Sequence, residues 1–447
     1  MLCHCEVGTK CGANMITVGL DFGTHQTKVC FERMENGTPF YEVFRFNGRD
    51  GKQTPTLPSF VRELEDGTLR YGHDAVPAVA GSRATTYFKQ VMFSWGANDA
   101  NRKAAEVWSV LFLAFVVFKM DQKLRTKKYV VQMGMPTDAD PGHHEFCRRQ
   151  AMKVMASAML IVRNAFRDDL EEFLSTPFAR LKGLAEKCME HINTDIREAR
   201  KDFPVFVFPE AYASLIPLIK EHKLPQVGPN LFVDIGGGTV DISFFTSQEW
   251  GLIGEARPCL YYYHSAPFGL NKIVGFDIGR SHEIEVRANV ITRQCVDRFR
   301  QDLTSAVARI MNILKNQYVI QGRTSVMPFA TLCRQILDGR PICYSGGGST
   351  FGNLRIPVAS RRDMRDGVYY NFSDVRSVSA LIDHSKLYVK DEIFHVLATA
   401  FALSHQSLQI RSSHAEPDAI KLVSVGKLFE GIKLPSPPMQ TTVRRTW

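Results

Sequence analysis

One pattern occurs twice in this chain, and few folds can accommodate it. Ile16-Thr17-Val18-Gly19-Leu20-Asp21-Phe22-Gly23-Thr24 is the first copy. The second is Leu231-Phe232-Val233-Asp234-Ile235-Gly236-Gly237-Gly238-Thr239-Val240-Asp241-Ile242-Ser243. Each holds an apolar run, an Asp, a glycine turn, a Thr and a further apolar run. The apolar runs predict buried strands, and the glycines predict a tight hairpin between them. A turn with little side-chain bulk leaves backbone N–H groups free to cradle an anion. A carboxylate closing such a strand suits a hydrated Mg²⁺, which prefers oxygen ligands and keeps several waters. Two such loops facing each other would clamp a nucleotide triphosphate between two halves of the protein.

The chain has 447 residues, 45% of them hydrophobic, enough for two cores. Its net charge of +9 is scattered, apart from short groups such as Arg361-Arg362 and Arg444-Arg445. With no zinc-finger spacing, helix-turn-helix pattern or basic run interleaved with aromatics, a solvated basic surface is a better reading than a nucleic-acid site. Among ten cysteines, Cys30, Cys147, Cys188, Cys295 and Cys333 read as small core or surface residues. Cys3, Cys5 and Cys11 crowd the start without a second ligand cluster, so a tail is expected there rather than a metal site. No secretory signal is visible, so reduced thiols in a cytoplasm are expected. The most apolar stretch, Val107 to Phe118, is shorter than the roughly 20 residues that span a bilayer and predicts a buried helix of a soluble protein.

Along the first half, strands are expected at Val18–Phe22, Thr27–Arg33 and Pro39–Phe46, then a less regular region to about Gly81. A helix over Ala100–Lys119 and a strand at Tyr129–Met135 follow. Asp140-Pro141 is a helix start, and Ser175-Thr176-Pro177 another. Helical spacing of Phe178, Leu181, Leu184, Met189, Ile192 and Ile196 suggests an added helical hairpin over about 163–202. A strand at Val205–Phe208 and a helix from Glu210 close this half, and Leu224–Asn230 reads as a hinge. The second half restarts with its own double-strand loop. It adds a helix at Ile291–Leu314, a strand at Pro341–Tyr344 running into Ser345-Gly346-Gly347-Gly348-Ser349-Thr350, and a helix at Glu392–Leu408. His143-His144 reads as a solvated helix start, and Tyr261-Tyr262-Tyr263 as part of a strand. The polar end, with Pro435 and Pro437-Pro438, is expected to fray.

At these residues the chain resembles the actin-like ATPase superfamily, and within it the ATPase domain of the 70-kDa heat-shock chaperones. Asp21-Phe22-Gly23-Thr24 is similar to the first phosphate loop, and Asp234 to Ser243 to the second. Pro55-Thr56-Leu57-Pro58-Ser59-Phe60-Val61 resembles the proline-serine segment that follows the first strands. Phe88-Lys89-Gln90 falls where the family places its catalytic lysine. Pro209-Glu210-Ala211-Tyr212-Ala213-Ser214 resembles the segment carrying the catalytic glutamate. Gly346-Gly347-Gly348-Ser349-Thr350 looks like the adenosine-binding turn, and Lys390-Asp391-Glu392 like the close of the domain. Departures are also present. Ala211 follows Glu210 where the family has proline, and Phe351 stands where an arginine often lies against adenine. The Gly269–Gly346 stretch is short, and no peptide-binding domain fits after Ser404.

The resemblance implies an α/β, two-lobed actin-like ATPase fold with duplicated ribonuclease-H-like lobes. Residues 1–15 would form a disordered tail, 16–228 lobe I, 229–411 lobe II and 412–447 a C-terminal tail, with Met15 as initiator. It implies ATP/ADP and Mg²⁺ as cofactors. Asp21 and Asp234 would serve the metal. Gly23, Thr24, Gly236, Gly237, Gly238, Gly346, Gly347, Gly348 and Phe351 would hold the nucleotide. Lys89, Glu210, Asp234 and Thr239 would act in catalysis. Phosphoryl transfer needs a placed water and neutralised γ-phosphate charge, tasks that fit Glu210 and Lys89. The bland alternatives are surface residues for Lys89 and Glu210, a turn cap for Thr239, a local turn bond for each Asp and structural support for Asp241. The expected function is a chaperone-like, slow ATPase acting as a nucleotide-driven switch on an unknown protein client. The alternatives are a filament-forming or cytoskeletal ATPase that self-assembles, a small-molecule kinase of the same superfamily, and a sensor that binds nucleotide without hydrolysing it.

Overall fold

The computed structural model describes residues 15–48, 50–76, 85–137, 141–194, 203–220, 230–250, 255–266, 269–270, 294, 296–306, 341–350, 354 and 374–405. The protein is a mixed α/β structure built on two main sheets. In the first, β1 (Ile16–Phe22) turns back antiparallel into β2 (Gln26–Glu35), with Phe22 opposite Thr27 and Asp21 opposite Lys28. Strand β3 (Thr38–Val43) continues the meander, and the two-residue β4 (Leu57–Pro58) pairs with the start of β2. On the other side of β1, β5 (Tyr129–Met135) and then β6 (Val205–Pro209) run parallel to it. All seven residues of β5 are buried, as a central parallel strand covered on both faces requires.

In the second sheet, β7 (Asn230–Ile235) turns antiparallel into β8 (Val240–Trp250), and β9 (Glu255–Ala266) continues the meander. Strands β10 (Pro341–Ser345) and β11 (Asp374–Ser377) then add in parallel beyond β7. The order β9-β8-β7-β10-β11 repeats β3-β2-β1-β5-β6, strand for strand and direction for direction.

Helices fill the faces. The short α1 (Phe88–Phe93) precedes α2 (Asp99–Leu124), whose N-cap Asn98 accepts a 2.8 Å bond from the Asn101 amide. From Val107 to Phe118 every residue of α2 except Trp108 is buried. That helix is therefore apolar all round and lies inside the core with α3 (Pro141–Leu160). Among the described residues no helix is long and apolar enough to cross a membrane. Within the 163–202 span lie two described helices, α4 (Leu170–Ser175), capped by Asp169, and α5 (Phe178–Thr194). Phe178 stacks on Trp108 at 4.4 Å, and Leu181, Ala185, Met189 and Ile192 pack inward.

Two helices reach both sheets. α6 (Glu210–Lys220) contributes Leu215 and Leu218, and α7 (Asp391–Ser404) contributes Phe394, Leu397 and Phe401, to one apolar cluster. The same cluster holds Cys30 and Val43 of the first sheet and Phe232, Phe245 and Cys343 of the second. Ser214 of α6 and Thr399 of α7 meet at 3.1 Å.

The histidine pair differs from the solvated reading. His144 is 4% exposed, and His143 Nε2 lies 2.8 Å from the Phe93 carbonyl with its ring edge-on to Trp95. The end of α1 therefore covers what the sequence pattern presents as an open helix start. Several expected features fall outside the described residues. They are the cysteine tail, Asp140, Cys295, Cys333, Arg361-Arg362, Arg444-Arg445, the terminal prolines, Phe351, most of the hinge and parts of the Ile291–Leu314 helix. Residues 296–306 of that last segment are helical.

Gly19 of β1 seats α7, because a Cβ there would fall inside contact distance of the Ala400 carbonyl and the Ser404 amide. Backbone on both sides cannot yield, so Gly19→Ala is expected to destabilise the protein by about 2 kcal/mol or more. Denaturant titration of the two proteins measures it.

Candidate functional site

Three glycine turns converge on one cleft. The first follows β1. Gly23 donates to the Asp21 carbonyl at 3.1 Å, and any Cβ on Gly23 would strike the Gln26 carbonyl. Ser59 braces this turn from the proline-serine segment. Its amide donates to His25 O at 2.7 Å, and its hydroxyl donates to Gly23 O at 2.7 Å. The second turn follows β7 and is closed by Gly236 N–H donating to Thr239 O at 2.9 Å. Gly269 packs behind it, and Leu270 N–H donates to Gly236 O at 3.1 Å. The third follows β10. There Gly346 takes φ +80°, and a Cβ would collide with Asp234 Oδ1.

The cleft is lined by Asp21, Gly23, Thr24, Lys89, Glu210, Asp234, Gly236, Gly237, Gly238, Thr239, Gly346 and Gly347. These residues were singled out from the sequence, and the structure brings them together. Gly348 does not line the cleft and packs on Ile235 instead. The first two turns touch through His25. Its Cδ2 lies 2.5 Å from where a Cβ on Gly237 would be.

The charges are arranged in pairs with one exception. Lys28 Nζ donates to Asp21 Oδ2 at 2.9 Å, so the partner that the buried Asp21 needs is supplied by the chain itself. Lys89 Nζ lies 2.5 Å from Glu210 Oε1. Burial works against the Lys89 charge, but Glu210 and Asp21 outweigh it and hold the ammonium above its ordinary range. Burial raises Glu210, with Asp21 adding to the rise and Lys89 opposing it. Asp241 accepts from Tyr263 OH at 2.6 Å and from Thr239 Oγ1 at 3.2 Å. The Thr239 hydroxyl therefore has a carboxylate partner within its own hairpin.

Asp234 is the exception. No hydrogen bond or ion pair reaches its carboxylate among the described residues. Burial first, then Asp241 and Asp21, push it up to about 7. Such a carboxylate suits a divalent cation, which would remove the repulsion. The described residues contain no group of three or more His, Cys, Asp and Glu that could hold a metal by themselves. An ion here would rest on one or two carboxylates, chiefly Asp234 with Asp21, completed by waters and ligand oxygens, as Mg²⁺ accepts.

Sequence reasoning missed four contributors. Lys28 and His25 line the cleft, and burial with the nearby Lys28 charge lowers the His25 imidazole to about 4. Tyr263 holds Asp241. Gly134 of β5 leaves room for Glu210, whose Cγ would lie 2.7 Å from a Cβ. Hairpin register carried a signal for Lys28: counting back from the turn sets it opposite Asp21. Gly134 had only the general signal of a glycine inside a strand.

No protein-family model matches the chain, and no curated protein matches it. Among solved structures it is similar to the crystal structure of MreB 5 of Spiroplasma citri bound to AMPPNP. That match has 13% identity and a TM-score of 0.40, and covers 90% of this chain and 98% of that one.

The carboxyl of Asp234 titrates near 7 in the folded chain against 3.8 in its ordinary state. The folded state thus holds this proton more tightly than the unfolded one. Its contribution to stability is complete below about pH 4 and is lost as pH rises through about 7. Asp234→Asn is expected to escape that loss. Without ligand, the variant should exceed the parent by on the order of 4 kcal/mol above pH 7, with the gap closing toward pH 4. Denaturation midpoints against pH read this out, and parallel curves would contradict it.

Proposed function

We propose that this chain is a Mg²⁺–ATP-binding protein of actin-like, two-lobed build that hydrolyses ATP slowly and acts as a nucleotide-driven switch. The observation that carries the reading is the convergence of two Asp-ended glycine hairpins on one cleft, with the Lys89–Glu210 pair beside them. The repeated strand order of the two sheets supports a duplicated lobe, with 16–228 and 229–411 as its copies. The actin-like resemblance of the sequence motifs supports the same assignment.

In this reading the N–H groups of Thr24 and Gly237–Thr239 cradle the phosphates, while those of Gly23 and Gly236 close their own turns. The Gly346-Gly347 turn takes the adenosine. Asp234 and Asp21 would hold a hydrated Mg²⁺, whose charge would neutralise phosphate oxygens. Lys89 sets a positive charge against the terminal phosphate. Glu210 has a raised carboxyl, and its task is to orient the attacking water and receive its proton. Thr239 and Tyr263 hold Asp241 in place behind Asp234. Ligand binding between loops of the two sheets would draw the lobes together.

Self-assembly is the second reading. The outer face of α5 presents Arg180, Lys182, Glu186, Lys187 and Glu190 to solvent, a charged surface suited to contact between copies. Sedimentation with and without ATP separates the two: a species that stays monomeric in both states argues against assembly. Among the described residues no client-binding part is identified, and no chaperone role is proposed.

Calorimetry with Mg²⁺–ATP is the first test, and no binding at millimolar ATP would sink the proposal. If ATP binds, Lys89→Ala and Glu210→Ala should each lower turnover about 100-fold while changing affinity far less. Gly134→Ala removes no functional group but pushes Glu210 from its seat. It should also lower turnover, by about tenfold or more, with affinity near that of the parent.

A further inference from the structure

His395 sits on α7, is 4% exposed, and lines the cleft through no atom the nucleotide reading uses. Its bonds nevertheless converge on Gly346. The His395 carbonyl accepts from the Gly346 amide at 3.1 Å. Its Nδ1 lies 2.8 Å from Ser349 Oγ, and Ser349 Oγ donates to the Gly346 carbonyl at 2.7 Å. A hydroxyl has one proton. With that proton on the Gly346 carbonyl, Nδ1 carries its own and donates to Ser349 Oγ. In the neutral ring Nε2 is then an acceptor, and Ser379 Oγ lies 3.3 Å from it. One side chain therefore ties together the turn after β10, the segment after β11 and the helix that Gly19 seats on the first sheet.

We infer that His395 is a positioning residue for the cleft: its carbonyl takes the Gly346 amide, and its ring fixes Ser349 Oγ on the Gly346 carbonyl, so that the turn keeps its left-handed form against Asp234. The inference rests on the nucleotide reading for its link to ligand binding, and on hydrogen-bond geometry alone for the tie itself. It also requires the Nδ1–H tautomer, which makes it specific. An asparagine at 395 presents its amide N–H where Nδ1 stands. A glutamine extends its amide toward the Nε2 position and leaves Ser349 without its donor.

The test uses the full chain carrying His395→Asn, His395→Gln or Ser349→Ala. Hydrogen exchange at the Gly346 and Ser349 amides is measured without nucleotide, and Mg²⁺–ATP affinity by calorimetry. In His395→Gln and Ser349→Ala, exchange should quicken and affinity should fall about tenfold, whereas His395→Asn stays within about threefold of the parent in both. Equal losses in the Asn and Gln variants, or no change in any of the three, would overturn the inference. A parent protein that binds no Mg²⁺–ATP would instead count against the nucleotide reading, and the exchange comparison would still decide the role of His395. Should one His395 variant fail to fold, the other is read beside Ser349→Ala: a Gln variant at the parent's values, or an Asn variant with the Ser349→Ala losses, would overturn the inference.

Discussion

Asp234 and Asp241 stand directly opposite each other across the second hairpin. Like charges in that relation weaken a sheet. The first hairpin shows what the same position does when the pair is complementary, for there Asp21 faces Lys28 and the two are bonded. The two hairpins are thus alike in backbone and opposite in electrostatics. One carries its counter-ion within the chain. In the other, Tyr263 and Thr239 satisfy Asp241, leaving Asp234 with a raised carboxyl and an open face. Most of what distinguishes the cleft follows from that difference. A group destabilised in the empty site gains the most when a cation arrives, so ligand binding and local stability draw on the same repulsion.

The cleft depends on close backbone approach as much as on charge. Gly23, Gly134, Gly237 and Gly346 each lie where a single carbon would displace a neighbour. Gly19 plays the equivalent part for α7. Through α6 and α7, whose apolar faces share one cluster with both sheets, a shift of one turn is felt by the helices beneath it.

Much of the architecture was legible in the sequence because its central strands β1, β5, β7 and β10 are largely apolar, and β1, β7 and β10 end in glycine turns. The strand expected at Tyr129–Met135 has those bounds, and α6 begins at Glu210 as expected. Ends were less legible. α2 runs on past Lys119 to Leu124, where Arg125 in the left-handed region closes it, and no glycine marks the stop. α7 ends at Ser404, short of the expected Leu408, while the residues after His405 lie outside the description. The motif residues were legible because each belongs to a local pattern. Gly134, Tyr263 and His395 were not, because their partners lie on other strands or in distant segments, and Lys28 shows only once the hairpin register is counted. The covering of His143-His144 by α1 is of the same kind: periodicity describes a helix but not what packs against it.

The all-round burial of α2 has a consequence for how the chain reaches this state. Its twelve-residue stretch from Val107 to Phe118 is covered on one side by Phe22, Tyr71 and α1, which come earlier in the sequence, and on the other by α3 and α5, which come later. During synthesis from the N-terminus this helix emerges before those later segments. The side that α3 and α5 cover must wait, exposed, until roughly the Phe178–Thr194 helix is available. The interval is the period of greatest aggregation risk, and it falls before any residue of the second sheet exists.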